Sequence, residues 1–461
     1  MTIDLATRFL PGAAALPLLL ATATPALARP EDGKGQSDVK ITVDASARAR
    51  IEAIDGQFRP ATSPDDVFVS FRTTIAARLD VGAFTLGGEI VDARGYAESD
   101  KSSVKTTEID ALEPVQAYAA YRFRDVALKG DTATATVGRF SLDIGSSRLV
   151  GRTDFPNTVI SYLGAMGEWK TKAKDRFVIF WTEPFTALPD DANAIHHNGF
   201  EFDRAAGNMT FFGTSDTVAQ VVKNVSLEVY GYRLVEEDRP GRLTRDRHLS
   251  TFGTRIRRAP AKGKFDFEAE GALQRGTARA TTAANDVRDL PVNAGFGHAE
   301  AGWTAPTGWT PRISAMFDYA SADGAKSSYG RFDTLFGARR SDFGPVALYG
   351  PIGRANLVSP GARIEAKPSK RLDLMAAVRG LWLADATDTF ASTGVRDKTG
   401  ASGRHAGTQI EARARRWLIP ERLRLEAGAA YLAKGRFLRD APNAPKTGDT
   451  RYGYMDLAVS F

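Results

Sequence analysis

The chain has 461 residues, a formal net charge of +6 and no cysteine. The missing cysteine excludes disulfides, thiolate metal sites and a cysteine nucleophile. The charges are spread along the chain, with no basic block of the kind that binds nucleic acid, so no nucleic-acid partner is expected.

The N-terminus reads as a secretory signal. Arg8 precedes the apolar stretch FLPGAAALPLLLATA, and Ala26-Leu27-Ala28 supplies a small-x-small cleavage pattern. Residues 1–28 are therefore expected to be a signal peptide, 29–38 a short N-terminal segment, and 39–461 a single domain. No apolar run long enough for a spanning helix follows residue 28.

From residue 39 the pattern has period two. Val39, Ile41, Val43, Ala45, Ala47, Ala49 and Ile51 alternate with Lys40, Thr42, Asp44, Ser46, Arg48, Arg50 and Glu52. Successive side chains on a strand point to opposite faces, so one face is apolar and the other charged. The same alternation predicts strands at 39–54, 67–81, 83–95, 115–124, 133–140, 159–170, 175–183, 208–218, 224–234, 248–258, 264–276, 292–304, 311–321, 355–367, 371–383, 405–417, 422–434 and 450–461. Most runs last about 10 to 14 residues, the length of a tilted membrane strand and longer than the usual strand of a soluble sandwich. About 18 strands enclose more space than side chains can fill, so a polar lumen and a lipid-facing apolar exterior are expected. The fold class is thus all-β: a transmembrane antiparallel β-barrel whose C-terminal strand ends at Phe461, with outer-membrane lipid around it.

The last strand, TRYGYMDLAVSF, places Met455, Leu457, Val459 and Phe461 on its lipid face. That ending resembles the signal read by the outer-membrane assembly machinery. Tyr121, Trp169, Trp181, Trp303, Trp382, Trp417 and Tyr452 sit near strand ends, where aromatic girdles form. Segments 96–114, 184–207, 276–291, 322–354 and 384–404 lack alternation and are expected to be extracellular loops. Segments 171–174 and 305–310 are expected to be short turns at the other end.

Enzyme motifs are weak. SSVK at 102–105 with KTG at 398–400 and 446–448 lacks a Ser-Asp-Asn element, and DFG at 342–344 lacks the other kinase motifs. The adjacent His196 and His197 would point apart on a strand, and a surface role outweighs metal binding. His298 and Glu300 share a predicted inward face. No enzymatic activity is expected and no cofactor or metal is implied.

The informative constellation is ionic. Arg48, Arg50, Arg72, Arg78, Arg122, Arg379, Arg413, Arg415 and Arg424 are predicted inward, together with Asp44, Glu52, Asp80, Glu268, Glu270, Glu300, Asp318, Glu411 and Glu426. Charged rings on a channel wall select ions by sign, and arginine holds anionic groups through its planar fork of donors. The competing reading is that opposite charges simply pair and brace the lumen.

The segments GRFSLDIGSSRLVGRTDFPNT (138–158), ARARIEAIDGQF (47–58), RFDTLFGARRSDFGPVALYG (331–350), NLVSPGARIEAKPSKRLDL (356–374) and RYGYMDLAVSF (451–461) give the chain a specific likeness. It resembles the alginate export family of bacterial outer-membrane proteins. That resemblance implies an eighteen-stranded barrel with an arginine-lined constriction, through which an anionic polysaccharide is exported or passed, and loops gating the mouths. Carried onto this chain, the resemblance gives Arg48, Arg50 and Glu52; Arg139, Arg148, Arg152 and Asp154; and Arg363 and Glu365; the inward positions Arg72, Glu411 and Arg413 complete the expected pore-lining site. Arg139 has the parity of the lipid face: a bulge at Gly138 would re-aim it inward, and without one it would sit at the rim. Arg339 and Arg340 lie in the 322–354 loop, which could be a lid or fold into the lumen and is expected to act as a lid. The alternative function is a substrate-selective porin for small anionic solutes or sugars. Periplasmic export proteins are expected partners, because nothing in the chain hydrolyses a nucleotide to drive transport.

Overall fold

Eighteen long strands pair antiparallel with their neighbours in chain order. The computed structural model describes residues 39–461 except 153, 154, 240, 241, 325, 326, 339 and 351. The expected signal peptide, segment 29–38, Asp154 and Arg339 lie outside the described residues, as does the side chain of Arg340. The strands are β1 (Val39–Asp55), β2 (Asp65–Val81), β3 (Phe84–Tyr96), β4 (Asp110–Arg124), β5 (Thr132–Phe140), β6 (Tyr162–Lys170), β7 (Arg176–Thr186), β8 (Arg204–Ala205), β9 (Met209–Val222), β10 (Val225–Glu236), β11 (His248–Arg258), β12 (Phe265–Ala278), β13 (Leu290–Thr304), β14 (Arg312–Ala320), β15 (Leu357–Ser369), β16 (Leu372–Trp382), β17 (His405–Ile419), β18 (Leu423–Lys434) and β19 (Thr450–Ser460). The two-residue β8 pairs only with the end of β7 and is not part of the wall. β1 pairs with β19 from Ser46↔Ser460 to Asp55↔Arg451, closing the sheet into an eighteen-strand barrel. Closure leaves no open edge to aggregate.

The faces follow the alternation. Ile41, Val43, Phe71, Ile75, Leu457 and Met455 are exposed on the outside, while Arg48, Arg50, Glu52, Tyr454 and Asp456 are buried inside. Among the described residues no helix is long and apolar enough to cross a membrane. The strands meet in short turns at one end, such as Gly82 (φ +60°) after β2 and Asn224 (φ +64°) after β9. Long connections gather at the other end. They include four that alternation did not single out, at 56–64, 141–161, 237–247 and 435–449.

Three expectations change. β6 begins at Tyr162 rather than 159, and the whole 141–161 segment is a loop. Tyr452 is not a girdle residue. It is buried inside the barrel, and its hydroxyl donates to Glu52 at 2.9 Å. Arg139 faces inward without a bulge. β5 stays in register with both neighbours, and Gly138 at φ +120° rotates the chain so that Val137 points out and Arg139 in.

The lumen fills unevenly. Along β1 the inward Lys40 and Asp44 are exposed, whereas Arg48, Arg50 and Glu52 are buried. β16 and β17 repeat the gradient: Asp373, Arg415 and Arg413 are half-buried, then Arg379, Glu411 and Gln409 are buried. The barrel is therefore open toward its short-turn end and filled toward its loop end. The filling comes from the 141–161 and 321–356 loops. One apolar cluster joins Phe58, Leu348, Tyr349, Phe390 and Phe437, and another joins Leu142, Leu149, Tyr162, Phe211 and Phe332.

Candidate functional site

β1 carries Arg48, Arg50 and Glu52 on its inward face, two residues apart, so the three form one column. Arg48 Nη2 donates to Pro156 O at 3.1 Å and Asn157 Oδ1 at 3.0 Å. Arg50 Nη1 donates to Phe155 O at 2.7 Å and its Nη2 to Asp456 Oδ2 at 2.8 Å, with the Phe155 ring 3.8 Å from its guanidinium. Glu52 accepts from Tyr452 and, at 3.2 Å, from the amide of Leu348. Arg72 on β2 reaches the same Pro156 O at 3.4 Å. This column holds the 141–161 loop on one side and the 321–356 loop on the other.

The two loops also hold each other. Val150 and Phe336 form a parallel bridge, and Ala338 N donates to Ser147 O at 2.8 Å. Beside the bridge, Arg148 donates to Glu268 at 2.5 Å, Glu270 at 2.7 Å and Asp342 at 2.9 Å. Asp342 also pairs with the fully buried Arg354. Burial, then the nearby Arg148, pushes the Arg354 guanidinium down to about 9. A polar cavity of about 180 Å³ lies next to it, lined by Arg245, Tyr329, Arg331, Asp333 and Arg354. Gln409 donates to Phe343 O at 3.2 Å and accepts from the Tyr349 hydroxyl at 2.8 Å. Glu411 is buried next to this contact. The 322–354 segment is therefore not a lid over the mouth. It folds into the bore, where Phe343 O and the Tyr349 hydroxyl meet Gln409 and the Leu348 amide meets Glu52 on the inner wall.

The other site residues lie apart from that plug. Arg152 donates to Glu89 at 2.6 Å and Ser141 at 2.9 Å, and keeps 28% of its side chain exposed. Arg363 stands 3.9 Å from Glu300, and Glu365 accepts from Arg312 at 3.2 Å. Arg413 and Arg415 both face Asp373, at 3.5 and 2.8 Å, with side chains 22% and 34% exposed. Arg139 sits at the loop end, between Glu113 and Asp203, and shares no partner with the β1 column. His298 is buried against Asp318, which also pairs with Arg379.

The inward arginines thus divide. Arg48, Arg50, Arg139 and Arg148 are buried and hold loops. Arg152, Arg363, Arg413 and Arg415 retain contact with solvent. Alternation cannot make that division, because it gives the face and not the depth. It also passed over Asp342 and Arg354, which lie in a loop without period. Asp456 was within reach of it: Met455 and Leu457 face out, so Asp456 faces in.

The family model described as alginate export matches residues 39–450. No curated protein matches the chain. Among solved structures, OccK9 (OpdG) of Pseudomonas aeruginosa is similar at a TM-score of 0.57 and 11% identity, covering 91% of this chain and 98% of that one. OccAB1 of Acinetobacter baumannii gives 0.56 at 11% identity, covering 93% and 99%. The outer membrane protein opdK from Pseudomonas aeruginosa gives 0.56 at 9%, covering 91% and 98%. At such identities the likeness concerns the fold, and it agrees with an apolar exterior and a charged lumen. With the family match spanning almost the whole barrel, the chain belongs to the alginate export family and is a channel of the bacterial outer membrane.

Proposed function

We propose that the channel passes an anionic, alginate-like polysaccharide along the solvent-reachable arginines of its lumen. The observation that carries this reading is the set Arg152, Arg363, Arg413 and Arg415, which face the bore, each within 3.9 Å of a carboxylate that it does not hold alone or out of solvent. A uronate polymer bears one carboxylate per sugar. At each site it competes with Glu89, Glu300 or Asp373 for the same guanidinium. Contacts made by exchange are weak, as conduction requires, since a tightly held polymer would not leave. Arg72, at the foot of the β1 column, would make the next contact toward the plug. Arg48, Arg50 and Arg148 act indirectly, by fixing the loops that narrow the path. The family and fold are of the channel type, and the chain's residues provide binding rather than chemistry.

A second reading has its own support. The plug of residues 141–161 and 321–356 narrows the bore, and a narrow bore with paired charges suits a porin for small anionic solutes or sugars.

Planar-bilayer recording separates the two. Polyuronate added to the short-turn side is expected to block the ionic current, while a neutral glucan of equal length leaves it unchanged. Equal block by both polymers, or block only by small anionic sugars, would overturn the polymer reading.

A further inference from the structure

A separate cluster lies at the loop-bearing end, where β4, β5 and the 187–208 loop meet. The β3–β4 ladder slips twice there, between Glu89 and Val91 and between Val91 and Ala93. Leu112, at φ +59°, turns out and is exposed. Asp110 and Glu113, three residues apart, would point to opposite faces of a regular strand. The irregularity instead turns both inward, and both are buried. The 187–208 loop supplies Asp203. Its amide donates to Glu113 Oε2 at 3.1 Å, and the Leu188 amide donates to its Oδ1 at 2.9 Å. One oxygen from each of the three carboxylates lies within 4.8 Å of the others.

Positive charge here is short. Arg139 pairs with Glu113 and, at 3.3 Å, with Asp203; its Nε donates to Ser161 at 2.9 Å and its guanidinium lies 3.6 Å from the Phe185 ring. One guanidinium among three carboxylates leaves two negative charges. Asp110 is 1% exposed, and its Oδ1 has no hydrogen-bond partner among the described residues. A buried carboxylate oxygen without a donor is costly unless a cation or a proton meets it.

We propose that Asp110, Glu113 and Asp203 bind one calcium ion, which ties the 187–208 loop to the barrel wall. The donors are all carboxylate oxygens, with no histidine or cysteine in the group, which selects a hard divalent cation. Oxygens bound to calcium at about 2.3–2.6 Å lie at most about 5 Å apart, which matches this group without rebuilding the backbone. Magnesium demands a tighter octahedron and keeps its water, so it fits less well. Calcium and Arg139 together balance the three carboxylates.

The test uses the full chain, purified in detergent, stripped with EDTA and titrated with calcium chloride by calorimetry. The wild type is expected to bind one calcium ion more tightly than magnesium, and calcium is expected to slow proteolysis of the 187–208 loop. Asp110→Asn should weaken calcium binding at least tenfold. Asp203→Asn, in the loop, should do the same and serves as the reading if the first variant does not fold. No calcium heat in the wild type, or equal calcium binding in the wild type and the folded variants, overturns the proposal. So does Asp110→Asn raising thermal stability while the wild type ignores calcium, which would mean that the cluster takes a proton instead.

Discussion

Arg148 engages three carboxylates while almost fully removed from water. Taking such a group out of water is unfavourable, and only close, multiple pairing offsets it. Removing one partner therefore leaves charge stranded. Arg148→Ala, which abandons Glu268, Glu270 and Asp342, is expected to destabilise the plug by about 3–5 kcal/mol. Urea unfolding in detergent, together with faster proteolysis of the 141–161 loop, checks it. Glu108, at the end of the 97–109 loop, is buried near Glu52, Arg50 and Arg48. Burial, then Glu52, pushes its carboxyl up from 4.5 to about 8. Below 4.5 it is protonated whether the loop is docked or free, so pH has no effect there. Between these values the free loop ionises and the docked loop does not, so docking weakens as pH rises and levels off above about 8. The expected loss is on the order of 1 kcal/mol per pH unit within that window. Urea midpoints of the wild type against Glu108→Gln, at several pH values, should show the wild type falling relative to the variant. Parallel curves would contradict it.

At the scale of elements, strands, faces and five of the long loops were legible in the sequence, and the paths of those loops were not. Period two needs only local residues, so Ile41 against Arg48 was readable before any contact was known. Gly138 marks where local reading fails in detail. A kink was required for Arg139, but the device is a glycine at φ +120° in an unbroken ladder rather than an inserted residue. A Cβ at that position would lie 2.4 Å from Ala117 O. Gly138→Ala is thus expected to turn Arg139 away from Glu113 or to lower folding yield, read by heat-modifiable mobility on gels. The 141–161 and 321–356 loops carry no period, and their partners lie far off in sequence. Leu348 meets Glu52, and Asp342 meets Arg148. Only the folded chain shows that these loops enter the bore. Deleting 322–354 is expected to raise single-channel conductance several-fold, because the apolar cluster around Tyr349 and Phe390 goes with it. Unchanged conductance would place the constriction elsewhere.

For the whole molecule, one arrangement unites these parts: an apolar exterior, a bore open at the short-turn end, and a charged interior narrowed by loops toward the other end. Alternation gave the barrel and the strand arginines, the family likeness added Arg148 and Arg152, and the structure separates those that brace from those that face solvent. Arg413 and Arg415, near the open end of the bore, are the most accessible test of that division. The most direct measurement is the reversal potential of the reconstituted channel in a salt gradient. The wild type is expected to prefer anions, and Arg413→Glu with Arg415→Glu is expected to shift the potential toward cations. A cation-preferring wild type, or no current even after residues 322–354 are deleted, would contradict an arginine-lined channel.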